Sequence, residues 1–74
     1  MPTHDDAQQI FQQGIHAIQR GYYLQATTLF ERALELYQTL PGTEHNQANC
    51  LGLLAITLGE LGKPAQAEPY YRQA

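Results

Sequence analysis

Three histidines, one cysteine and two adjacent aspartates are the residues of this chain whose types could support acid–base, nucleophilic or metal chemistry. His4, His16 and His45 never stand at the three- or four-residue spacing by which one helix face offers two imidazoles to a metal ion. Asp5 and Asp6 sit where a first helix should begin, and acids there are stabilised by the helix dipole without further purpose. Cys50 has no second thiol for a disulfide or a metal site, so it is expected to pack as a small apolar group. As a reactive thiol it would need a base, and His45 is the sole candidate. There is no glycine-rich phosphate loop and no nucleophile motif. Glu68 and Arg72, four apart in the favourable order, read as helix support. Neither an enzyme nor a bound cofactor or metal is expected.

With catalysis set aside, composition bounds what the chain could hold. Its 74 residues are 43% hydrophobic and 15% charged, with a formal charge of −3. A chain this short builds one small core and buries about 60% of its unfolded surface. The basic residues Arg20, Arg32, Lys63 and Arg72 are scattered, which leaves nucleic acid without a patch to grip. No apolar run approaches the roughly 18 residues of a membrane span, so no membrane partner is expected. The acidic start, Met1 to Asp6, is unlike a secretory or transit peptide, which makes a cytoplasmic location the expectation.

Hydrophobic periodicity predicts four helices and no strands, an all-α chain. The first spans about Asp5 to Arg20, where Ile10, Phe11, Gly14, Ile15, Ala17 and Ile18 recur at helical spacing behind Thr3 and Asp6, a relative of the capping box. Gly21 stands where a left-handed stop residue belongs. The second helix runs from about Tyr23 to Leu40 and is broken by Pro41 and Gly42, with the Thr43 hydroxyl offered as a cap for the third. That third helix, about His45 to Leu61, carries no charged side chain between His45 and Gly59 and is apolar nearly all round, which predicts burial on more than one side. Gly62 ends it, and Pro64 opens a short fourth helix that Pro69 should bend or delay to near Glu68. Tyr70, Tyr71 and Ala74 keep helical register to the last residue, the mark expected of a helix cut short.

These helices are two copies of one pattern. Gly14 pairs with Ala55, Gly21 with Gly62, Ala26 with Ala67, Phe30 with Tyr71 and Ala33 with Ala74, each at an offset of 41 residues. Repetition on this scale signals helical hairpins that bury their faces against one another. The expected division is repeat one over about 7–47 and a truncated repeat two over about 48–74.

Gly14, Gly21, Tyr23, Ala26, Phe30 and Ala33, with Ala55, Gly62, Ala67, Tyr71 and Ala74, resemble the small and aromatic residues of the tetratricopeptide repeat. The resemblance departs at the first-helix aromatics, where Ile10 and Ala17 stand in one copy and Leu51 and Leu58 in the other. The period also exceeds the usual ~34 residues. With Leu40–His45 and Ala67–Tyr71, it is similar to the longer repeats of kinesin light chains and of bacterial regulatory proteins. The resemblance implies a fragment of an α-solenoid whose first helices line a concave face. That face would carry Gln8, Phe11, Gln12, Ile15 and Gln19 from one copy and Asn49, Gly52, Leu53, Ile56 and Glu60 from the other.

The implied function is the binding of a peptide or partner protein by apolar anchors and amide hydrogen bonds. The lysine and asparagine clamp of chaperone cofactors has no counterpart, since Gln8, Gln12 and Ile15 occupy its places. An apolar stripe at this spacing equally fits plain core packing, and the tyrosines fit amphipathic plugs. Two alternatives stand beside partner binding. One is self-association through Tyr70 and Tyr71 on the last helix; the other, opposed by the acidic balance, is an RNA-binding helical repeat.

Overall fold

The computed structural model describes residues 1–73; Ala74 lies outside them, as do the side chains of Pro64 and Tyr71. Four helices succeed one another in order: α1 His4–Gln19, α2 Tyr23–Gln38, α3 Glu44–Glu60 and α4 Pro64–Gln73. Each packs on the next, so α2 is shared between α1 and α3, and α3 between α2 and α4. The result is a slab with Cα extents of 34 × 27 × 15 Å.

The helix ends are set by local chemistry. The capping box at α1 is complete: the Asp6 amide donates to Thr3 Oγ1 at 3.2 Å and the Thr3 amide to Asp6 Oδ2 at 2.9 Å. Gly21 (φ 78°) and Gly62 (φ 73°) take the left-handed conformation that ends α1 and α3. In both turns the residue after the glycine donates back into the last turn, Tyr22 N to Ala17 O at 2.8 Å and Lys63 N to Leu58 O at 2.9 Å. The two copies therefore stop their first helices by the same device.

Two local expectations are corrected. Thr43 precedes α3 without capping it; its buried hydroxyl turns back toward the Tyr37 and Leu40 carbonyls at the end of α2. Gln47 Nε2 reaches the same place, 3.1 Å from Thr43 Oγ1, so the α2–α3 turn is tied from both sides. At α4, Pro69 neither delays nor divides the helix, which runs unbroken from Pro64. Its missing donor removes one internal bond, and the burial of Ala67 nearby holds the helix down.

Small residues let the helices approach. Ala7, Ala17, Ala26, Ala33, Ala55 and Ala67 are all buried, and Phe30 fills the space between α1 and α2 with no exposure. Gly14 on α1 lies against the Phe30 ring, and a Cβ there would sit 2.7 Å from Phe30 Cε1. Phe11 meets the same ring edge-on, centroids 5.4 Å apart. α3 is buried on two sides as expected, through Cys50, Leu51, Leu54, Ala55, Thr57 and Leu58. Where α2 meets α3 the buried contact includes one polar pair, Thr27 Oγ1 to Thr57 Oγ1 at 2.9 Å.

Candidate functional site

Beyond the consecutive His4, Asp5 and Asp6, the residues that could have carried chemistry are spread along the chain. His4, His16 and His45 are exposed, as are Asp5 and Asp6. Among the described residues no group of three or more His, Cys, Asp or Glu could hold a metal ion. His4 Nε2 stands 3.3 Å from the Pro41 carbonyl, tying the start of α1 to the α2–α3 turn. Cys50 is fully buried, and burial pushes its thiol up to about 11. With His45 on the exposed side of the helix, no base activates it.

The candidate binding residues form two matched runs, one on α1 and one on α3. Phe11, Ile15 and Leu53 are half-buried at the rim of the same core cluster. Ile56 points outward and is 50% exposed, and Gly52 has no side chain within reach of its Cβ position. Around them Gln8, Gln12, Gln19, Asn49 and Glu60 are exposed. On each helix, apolar residues thus stand beside exposed amides.

Tyr70 on α4 is half-buried and packs against both clusters of buried residues, the one centred on α1–α3 and the one formed by Ala55, Leu58 and Ala67. Burial, and then the nearby Glu31 carboxylate, raise its hydroxyl above the usual tyrosine range. It borders an open groove of about 480 Å³ together with Glu31, Leu58 and Gln66. The side chain of Tyr71, its expected companion, lies outside the described residues.

A third surface was missed from sequence. On the side of α1 and α2 away from α3, two open depressions of about 340 and 400 Å³ adjoin at Gln13 along the groove between the two helices. Arg20, His16 and Leu29 border one part; Arg32, Ile10 and Leu36 border the other. The internal repeat held the signal. Gln13, His16 and Arg20 match Leu54, Thr57 and Leu61 of the second copy, and such exchanges mark a face with a different environment.

No helix among the described residues is long and apolar enough to cross a membrane. No curated protein and no solved structure matches the chain. A family model described as tetratricopeptide repeat matches residues 6–74. With four helices packed in order, matched glycine stops and small residues at the crossings, the chain belongs to the tetratricopeptide repeat family.

Proposed function

We propose that this chain binds a peptide or partner protein across the face made by Gln8, Phe11, Gln12, Ile15 and Gln19 of α1 and Asn49, Gly52, Leu53, Ile56 and Glu60 of α3. Tetratricopeptide repeats are generally protein–protein interaction modules, which gives the class of ligand. The observation that carries the reading is Ile56, a branched aliphatic side chain left 50% exposed one turn from half-buried Leu53 on α3, at the position that matches half-buried Ile15 of α1. An apolar anchor of the partner covers these residues, while the amides of Gln8, Gln12, Gln19 and Asn49 bond its backbone. Within the described structure those amides hold no intramolecular partner.

Selection of binders from a random peptide library, with titration of those binders against Ile56→Glu and Ile15→Glu, tests this face. Ile56 is the cleaner probe, because Phe11 supports the buried Phe30 ring and its loss would unsettle the fold. A loss of tenfold or more, about 1.4 kcal/mol, is expected with helicity unchanged. Peptides that bind both variants as tightly as the parent would refute the assignment. A second reading, self-association through α4, draws on the groove beside Tyr70, which a neighbouring copy could fill.

A further inference from the structure

The two hairpins share a backbone plan but differ on one side. On α3, the side that meets α2 is built from Cys50, Leu51, Leu54 and Thr57, all buried. The matching positions of α1 are Gln9, Ile10, Gln13 and His16, and three of these four are exposed polar residues. A hairpin seated there as α3 seats on α2 would bury Gln13 and His16 in place of Leu54 and Thr57, without the partners that burial demands. This side of the first hairpin is therefore unlike the surface on which one hairpin stacks on another.

Its charge points to the kind of occupant it suits. The groove between α1 and α2 carries two of the chain's four basic residues, Arg20 and Arg32, with His16 between their levels. Arg72 is paired with Glu68, whereas Arg20 and Arg32 hold no carboxylate among the described residues. Asp6 is the acid that borders the groove, and its carboxylate accepts the Thr3 amide in the α1 cap. The floor is apolar, from half-buried Ile10, Leu29 and Leu36, and the walls add the Gln9, Gln13 and Gln25 amides. On a chain of formal charge −3 this is a local cationic surface over an apolar floor.

We propose that this outer groove of the first hairpin binds an acidic peptide segment in extended form, with its carboxylates paired to Arg20 and Arg32 and an aliphatic side chain between them on Leu29. From the start of α2 to Arg32 the helix rises about 14 Å at ~1.5 Å per residue. An extended strand covers that distance in about four residues at ~3.3 Å each. The recognised segment therefore carries two acids about four residues apart around an apolar residue. This surface is separate from the α1–α3 face, and either proposal can fail without the other.

The test uses a fluorescein-labelled, end-capped peptide with two glutamates four residues apart around a central leucine, beside its glutamine counterpart. Anisotropy and amide chemical-shift mapping are read on the parent chain, on Arg20→Gln/Arg32→Gln and on Ile56→Glu. The expected result is binding of the glutamate peptide that weakens with salt, shifts at Gln13, Arg20 and Arg32, and a loss of about tenfold in the arginine variant. Ile56→Glu is expected to bind normally. Both arginines are exposed, so unchanged helicity in the variant shows an intact fold. Equal binding of the glutamine peptide, no binding up to millimolar concentration, or shifts confined to Ile15, Leu53 and Ile56 would overturn the proposal. So would concentration-dependent growth in mass that the arginine variant abolishes, since a second copy would then be the occupant.

Discussion

The approach of α1 to α2 rests on a missing side chain, and restoring it gives a quantitative test. In Gly14→Ala the new Cβ would stand 2.7 Å from Phe30 Cε1, 2.9 Å from Cζ and 3.0 Å from Cδ1. Comfortable carbon contacts lie at ~3.5–4.0 Å, so the ring or the helix must retreat by close to 1 Å. The ring has little room: Phe30 is fully buried, and Phe11 stands edge-on against it at 5.4 Å. Overpacking of this kind costs about 1–3 kcal/mol, and the better helix propensity of alanine returns about 1. A net loss of about 1 kcal/mol should lower Tm by roughly 4–8 °C in a domain of this size. Gly59→Ala is the control, since nothing lies within 4 Å of its Cβ position; it should raise Tm by a few degrees. Thermal unfolding monitored by far-UV circular dichroism reads both. In the double variant Gly14→Ala/Phe30→Leu the penalties should not add, because the smaller side chain vacates the clash. If Gly14→Ala raises Tm as Gly59→Ala does, the close crossing is not what holds the first hairpin together.

The buried pair Thr27 and Thr57 should show coupling: Thr57→Val is expected to cost about 1 kcal/mol, and Thr27→Val/Thr57→Val less than the sum of the singles, since removing both hydroxyls orphans neither. Denaturant unfolding measures this, and strict additivity would count against a direct bond. Cys50 should resist thiol reagents at neutral pH until the chain unfolds. Burial pushes its thiol from the ordinary 9.0 up to about 11. Between these values the unfolded chain binds fewer protons than the folded one, so stability falls as pH rises from 9 to 11, by up to about 2–3 kcal/mol. Cys50→Ala should flatten that part of the slope, and a slope identical in the variant would exclude the thiol as its source. The buried Tyr37 hydroxyl, raised by burial and then by Cys50, adds loss of the same sign at higher pH.

The fold was legible in the sequence because its determinants are local or periodic. Gly21 and Gly62 announce left-handed stops, Thr3 and Asp6 announce a cap, and the apolar spacing names the inward faces. What escaped were choices between equally local partners. Thr43 sits where a cap belongs, yet its hydroxyl finds the end of α2 instead, a choice set by how the turn folds back. Pro69 reads as a helix breaker, but the burial of Ala67 against α3 outweighs one lost hydrogen bond. For the binding residues, periodicity could give positions but not exposure. Phe11 and Ile15 look alike in sequence, and only packing shows that Phe11 braces Phe30 while Ile15 lies at the open rim.

Comparing the two copies position by position separates what folds the chain from what faces outward. Where a hairpin meets itself the copies agree, with Gly14 and Ala55, Ala26 and Ala67, or Ala17 and Leu58 all buried. Where it meets its surroundings they diverge, and the divergence has a direction. On the α1–α3 face, Gln8 and Gln12 answer to Asn49 and Leu53, and Gln19 to Glu60. Amides dominate the α1 half of that face, and the α3 half adds Leu53, Ile56 and one carboxylate. A peptide lying across both helices would meet hydrogen-bonding groups first and apolar surface second, so its anchor belongs over Leu53 and Ile56 and its plainer backbone over α1. The opposite assignment would leave an apolar anchor among unpaired amides, whose desolvation costs more than the contact returns. The same reasoning ranks the variants, with Ile56→Glu the most damaging to binding and Gln12→Ala a milder loss through one hydrogen bond.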